Sequence, residues 1–448
     1  MKIVFIFIFA LIYEINSNFL RNLITPPEPP ELTEGDSTNS YDYTDYNAVS
    51  TNENLSSESK ESTTADQSVV YITENSKTIS DSNLVKSSGD SSNIENSEFY
   101  GVNAAVLVQG GGLTITGGTI TTKAKGANAL CATNNGNVII TGTTIESTGS
   151  SSARGLHATY GGSITAKDVK VSSTGGSCAT LATDRGEGTV TCSNCELSTA
   201  GAGSPLIYST GQITVSNTTG TSTGAQAVIV EGKNTAIVQE NSELKCYGIG
   251  NRNNVDKCGI MLYQSMSGDA DDGISTFNCL NSKIEIDSKS NVYSSAPMFF
   301  ITNTQASIYL EQCTFTYGSN VFLSSAGTSE WGTSGSNGGE TTLTLKNQNI
   351  EGNFEVDSNS ALTIILTGSS SIKGTFNTAK TAKKLNITLD STSSIELTGD
   401  SYYTSLNNGD TSGKNIKTGN YKWANQNSKS NTIKLNMLLL LLIIFYLF

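Results

Sequence analysis

The feature that most constrains this chain is a short apolar–polar motif that recurs about every 25 residues. It reads Gly-Leu113-Thr-Ile115-Thr, Asn-Val138-Ile-Ile140-Thr, Ser-Ile164-Thr-Ala166-Lys and Thr-Val190-Thr-Cys192-Ser. It continues through Ile213, Ile237, Phe277, Ile308, Leu343 and Leu362 to Leu385, in steps of 25, 26, 26, 23, 24, 40, 31, 35, 19 and 23 residues. A fixed period of this length marks a solenoid, whose repeats bury their apolar faces only against neighbouring repeats. The period-two alternation makes each copy a strand with one buried face. A second apolar position follows five residues on, at Ile120, Ile145, Val171, Leu197 and Phe315. A third apolar run, such as 105–108, 129–132 or 227–230, precedes the next copy. Three short strands per repeat predict an all-β parallel β-helix of about twelve coils over residues 68–406, its earliest coil at 69–72. A sandwich or propeller would need Asn-Gly or Asp-Gly at every second connection, and few such pairs occur.

Charge sets further bounds. Only 15% of the 448 residues are charged, too few for a coiled coil or a long helical protein. The net charge of −13 argues against phosphate neutralisation, so no nucleic-acid partner is expected. A single His makes His-based metal or triad chemistry a poor fit.

The two ends read as addresses. Residues 1–17 carry Lys2, an apolar run over 3–12 and a small residue at Ser17, the pattern of a secretory signal peptide. Residues 435–448 are almost wholly apolar and follow a polar stretch. A small acceptor residue, a polar spacer and an apolar tail make a GPI-anchor signal, with Asn425, Asn427 and Ser428 as acceptor candidates in a linker over 407–434. Together the ends predict the outer face of a eukaryotic plasma membrane or cell wall, held through a GPI lipid. Residues 18–67 are rich in Ser, Thr and Asn. Between 26 and 67 lie ten acidic residues and one lysine, a net −9 that leaves −4 for the rest. With few aliphatic residues, this segment is expected to be a disordered tail.

Gly117-Gly118-Thr-Ile-Thr-Thr with 129–136 (Ala-Leu-Cys-Ala-Thr-Asn-Asn-Gly), and 153–165 (Ala-Arg-Gly-Leu-His-Ala-Thr-Tyr-Gly-Gly-Ser-Ile-Thr), resemble the adhesin-like repeats of the pectin-lyase-like superfamily. Residues 389–406 resemble the last coil and cap of such surface proteins. The resemblance implies a right-handed β-helix and raises the enzymes of that superfamily, polysaccharide lyases and hydrolases. Hydrolases there carry paired Asp, a following Gly-His-Gly and Arg-Ile-Lys. Here Asp271-Asp272-Gly273 stands for the pair, but His157 precedes it by more than a hundred residues and Arg-Ile-Lys is absent. No two carboxylates are expected to meet on neighbouring coils, so no catalytic residue is assigned. Asp184-Arg185 reads as a surface ion pair and His157, in register with Cys131, as a surface or groove residue. Asp269, Asp271 and Asp272 form the acidic cluster that could take calcium, although Leu280 occupies the twelfth position where an EF-hand needs Glu. No other cofactor is expected.

Eight Cys in a secreted chain suggest disulfides. Cys246 and Cys258 bracket a polar loop and are the leading pair; Cys192–Cys195 is a second, local candidate. Cys192 and Cys279 could instead be small buried hydrophobes. Sequons stand at Asn54, Asn217 and Asn386. Trp331, Tyr160, Tyr208, Tyr247, Tyr263, Tyr293, Phe299 and Phe300 could stack on sugars, while the Phe residues suit a stacked core at least as well. The resulting expectation is a non-catalytic surface rod for adhesion or glycan binding, its partner an extracellular polysaccharide or another cell's surface. The insertions near 248–275 and 325–340 are the expected contact loops. A polysaccharide lyase or hydrolase and a structural coat protein are the alternatives.

Overall fold

The computed structural model describes residues 38–75, 77–252 and 255–428. The strands stack into long parallel sheets, each strand pairing with its counterpart one coil away. The first sheet has twelve strands, from Ala48–Thr51 to Asn353–Val356. The second has fourteen, from Leu55–Ser56 to Ser405–Asn408. The third runs for ten strands, and a four-stranded sheet follows it toward the C-terminus. Fourteen coils at about 4.8 Å each make a rod roughly 60 Å long.

The core is the inside of this tube. In the second sheet, Leu113, Val138, Ile164, Val190 and Ile213 stack in register and are buried. Each such side chain contributes roughly 1.5–3 kcal/mol by leaving water. Toward the C-terminus, rings fill the tube: Phe299 to Phe322, Phe322 to Phe354 and Phe354 to Phe376 lie 5.3, 5.7 and 5.2 Å apart. The corner between the second and third strands explains the wealth of Asn and Gly. Asp81, Gly142, Asp168, Asn194, Asn217 and Asn281 hold that corner with φ between 45 and 64°. Only Gly, and Asn or Asp among the rest, adopt this left-handed bend at low cost.

Several expectations need correction. Ile237 does not face inward: Ala236 pairs with Ile213 and is buried, because every residue of Ala236-Ile-Val238 is apolar and alternation could not fix the face. Likewise Leu343 aligns with Ile364, not Leu362. The acidic segment is not disordered throughout. Residues 48–62 form a whole first coil, and Tyr41, Tyr43 and Tyr46 pack beside Tyr71 and Tyr100. That coil buries Ser50, Leu55 and Ser62, and its Ser-rich alternation hid the strand pattern. At the other end the linker is also structured. Strands Ser405–Asn408, Ile416–Lys417 and Trp423–Asn425 close the rod, and Trp423 packs on Phe376 and Tyr403. Residues 1–37 and 429–448, with the expected signal peptide and apolar tail, lie outside the described residues.

The Cys246–Cys258 expectation fails. Both thiols are free and buried, Cys246 in the tube interior and Cys258 outside the first sheet against Met261, Phe300 and Trp331. The wall of the coil separates them. Disulfides join Cys192 to Cys195 within one coil and Cys279 to Cys313 across two.

Candidate functional site

The outer face of the first sheet is where the coils stop being plain. Cys131, His157, Ala182, Tyr208, Ile229, Met261 and Phe300 form one outward row. At its N-terminal end the Tyr43–Tyr46 segment covers the row. The helix Ile94–Tyr100 comes next, capped by the Asn93 side chain and closed by Gly101 at φ 72°. A Cβ on Gly101 would lie 2.5 Å from Cys131 Sγ, so glycine lets the helix seat on the sheet. At the other end Trp331 lies against Met261 and Phe300, its ring 5.2 Å from that of Tyr263. Between helix and tryptophan lies a groove of about 330 Å³. Its walls include Asn251, Arg252 and Asp256 on one side and Asp269 and Trp331 on others. Both long insertions therefore converge on one place.

The floor is charged and largely dry. Arg154 Nη1 donates to Asp184 Oδ2 at 2.6 Å, and Nη2 stands 3.9 Å from Glu98. Ser152 also donates to Glu98. Burial pushes the Asp184 carboxyl up to about 7; Arg154 pulls against this, and the nearby Asp269 charge adds to it. His157 is wholly buried rather than at the surface, its Nε2 donating to the Glu98 carbonyl at 2.6 Å. Burial, then the Arg154 charge, bring it down to about 3, so it stays neutral. Asp184 pairs with Arg154 and also accepts from the Arg185 backbone N–H at 2.9 Å. Arg185 reaches across to Asp269 at 2.9 Å and lies over the Phe99 ring at 3.9 Å. Farther along, Tyr208 and Tyr263 both donate to Glu231 Oε2 at 2.6 Å. Burial raises the Glu231 carboxyl above the usual carboxylate range.

Glu98, Asp184 and Asp269 thus border one groove, brought there by a helix, a turn and an insertion rather than by neighbouring coils. Sequence reading missed Glu98, Arg154 and Glu231 altogether. For Arg154 and Glu231 the signal was a charged residue beside the third apolar run of a Ser, Thr and Ala-rich coil, whereas Glu98 sits on the helix Ile94–Tyr100. The calcium expectation changes too: Asp269 is paired with Arg185 and Asp271 with Lys233 at 2.6 Å. Among the described residues no group of three or more His, Cys, Asp or Glu could hold a metal ion. A larger concavity, about 630 Å³, lies on the third sheet where Gly220 lacks a side chain. Its lining holds no aromatic ring, and Lys170–Glu196 and Lys245–Glu285 close on each other.

The remaining expected sites lie elsewhere. Asn54 and Asn217 are exposed, and Asn386 is half-exposed on the outer face of its strand. Asn425 donates to the Thr404 carbonyl within the last coil, while Asn427 and Ser428 are exposed just beyond it.

Residues 68–243 match the family model described as a right handed beta helix region. No curated protein and no solved structure matches the chain. The match agrees with the parallel stacking and gives the helix its hand. It includes Arg154, Asp184, Tyr208 and Glu231 but ends before Asp269 and Trp331. The fold alone does not assign the groove a task.

Proposed function

We propose that this β-helix is a secreted, GPI-tethered surface protein that holds a segment of a glycan chain in the groove over its first sheet. The observation that carries the reading is the convergence of both insertions on one strip of Tyr208, Tyr263 and Trp331 beside two Arg–carboxylate pairs. Aromatic faces take the C–H faces of sugar rings, and fixed polar groups orient their hydroxyls. Rigid coils below and loops above suit recognition. The exposed Asn427 and Ser428, directly after the last strand, support anchoring at that end.

A second reading has its own observation: Asp184, held near neutrality in its titration, shares the groove with Asp269. In hydrolysis Asp184 would protonate the glycosidic oxygen as the C–O bond breaks, and Asp269 would take a proton from the attacking water. One experiment tests both. The purified protein is incubated with plant, fungal and animal polysaccharides, and bound protein and new reducing ends are measured together. Binding without product, reduced at least tenfold by Trp331→Ala, is the expected outcome. Product that vanishes in Asp184→Asn would replace the binding reading with hydrolysis. No binding and no product would defeat both.

A further inference from the structure

Resting on that glycan-binding reading, we infer that the groove takes an uncharged pyranose chain and excludes polyuronates. The argument is electrostatic. A polyuronate carries one negative charge per sugar and needs cations to meet it. Two arginines are already engaged: Arg154, in the lining, with Asp184 and Glu98, and Arg185, behind the lining, with Asp269 and the Phe99 ring. Arg252 lines the rim. Against these three cations stand Glu98, Asp184, Asp256 and Asp269 in the lining and Glu231 directly beneath the two tyrosines. Five carboxylates against three arginines leave the groove at −2 when all are ionised. Even with the buried Asp184 and Glu231 protonated, the sum is zero. In neither state is the groove cationic.

Breaking an arginine from its carboxylate to greet a uronate would leave that carboxylate in a poorly solvated site, at a cost the new pair does not recover. A neutral sugar asks for no such exchange. Each Arg–carboxylate pair presents N–H donors and carboxylate acceptors side by side, which suits the two hydroxyls of a vicinal diol. Tyr263 and Trp331, edge-to-face with each other at 5.2 Å, line the groove as its apolar part. The floor is therefore built for hydroxyls and C–H faces.

The test is calorimetry on the full protein with four hexasaccharides: a β-1,4-glucan, a β-1,4-mannan, an oligogalacturonate and a chitosan oligomer. At least one neutral hexasaccharide should bind, with oligogalacturonate roughly tenfold weaker or worse at low salt. Added salt should narrow that gap, since screening weakens the repulsion. Asp269→Asn, which removes a negative charge from the groove, should raise the oligogalacturonate-to-neutral affinity ratio by roughly tenfold. Tightest binding by oligogalacturonate or by chitosan, or a ratio that Asp269→Asn leaves unmoved, overturns the inference while the glycan reading stands. Silence from all four defeats both.

Discussion

At the scale of single residues, the Arg154–Asp184 pair decides most. Asp184 and Arg185 sit side by side in the turn after Leu181–Thr183, where the Arg185 backbone N–H donates to Asp184 Oδ1 at 2.9 Å, yet their side chains reach other partners. Each finds its partner at a distance, Arg154 in the preceding coil and Asp269 in an insertion. Contacts of that kind follow coil stacking and loop path, and no local pattern encodes them. Their energetic signature is measurable. An unfolded Asp titrates near 3.8, while burial raises the folded Asp184 to about 7. Between those values the folded chain keeps a proton that the unfolded chain releases. The contribution is therefore complete below pH 4 and is lost as pH rises through 7. The melting temperature of the native protein should fall across that window, and Asp184→Asn should flatten the slope. Equal slopes for both proteins would refute the assignment.

At the scale of elements, strand patterns were legible wherever inward positions were aliphatic. They failed where those positions were Ser, as in Ser59–Ser62, whose one buried residue is Ser62. That coil is held by its neighbour: Ala48–Thr51 pairs with Ser68–Ile72, and Ser59–Ser62 with Asn83–Lys86. It in turn carries the tyrosines that cover Cys131. Burial raises the Cys131 thiol to about 12, which leaves almost no reactive thiolate at pH 8. Iodoacetamide should therefore spare Cys131 in the native protein, and the Tyr43→Ala/Tyr46→Ala variant should react roughly tenfold faster or more at that site. The same peptide map without reductant should show Cys192 joined to Cys195 and Cys279 to Cys313. An equal Cys131 rate in both proteins would mean the tyrosines are not its cover.

At the scale of the whole molecule, the chain is a rod with distinct sides and ends. The second sheet presents Thr114, Ile139, Thr165 and Thr191 along an open outer face, while the first sheet gathers the helix, the tyrosine segment and both insertions. The period in the sequence made the rod legible. It could not show that insertions about fifty residues apart lean over the same sheet, since that depends on the rotation at which each leaves its coil. The ends differ as well. The last coil is sealed by Trp423, and Asn427 and Ser428 follow its strand Trp423–Asn425, so an anchor joined at either would set that coil against the membrane. Glu231 lies in the eighth of the twelve strands of the first sheet, and the rod continues to a fourteenth coil. At about 4.8 Å per coil the middle of the groove would stand roughly 30 Å above the lipid, clear of the headgroups and open sideways to a polymer. Phosphatidylinositol-specific phospholipase C should then release the protein from intact cells, and the released form should keep its glycan affinity because the groove does not touch the anchor. Retention on the cell while a GPI-linked control protein leaves would remove the tether, and with it the orientation. Release accompanied by lost glycan binding would instead place the recognition surface at the membrane end of the rod.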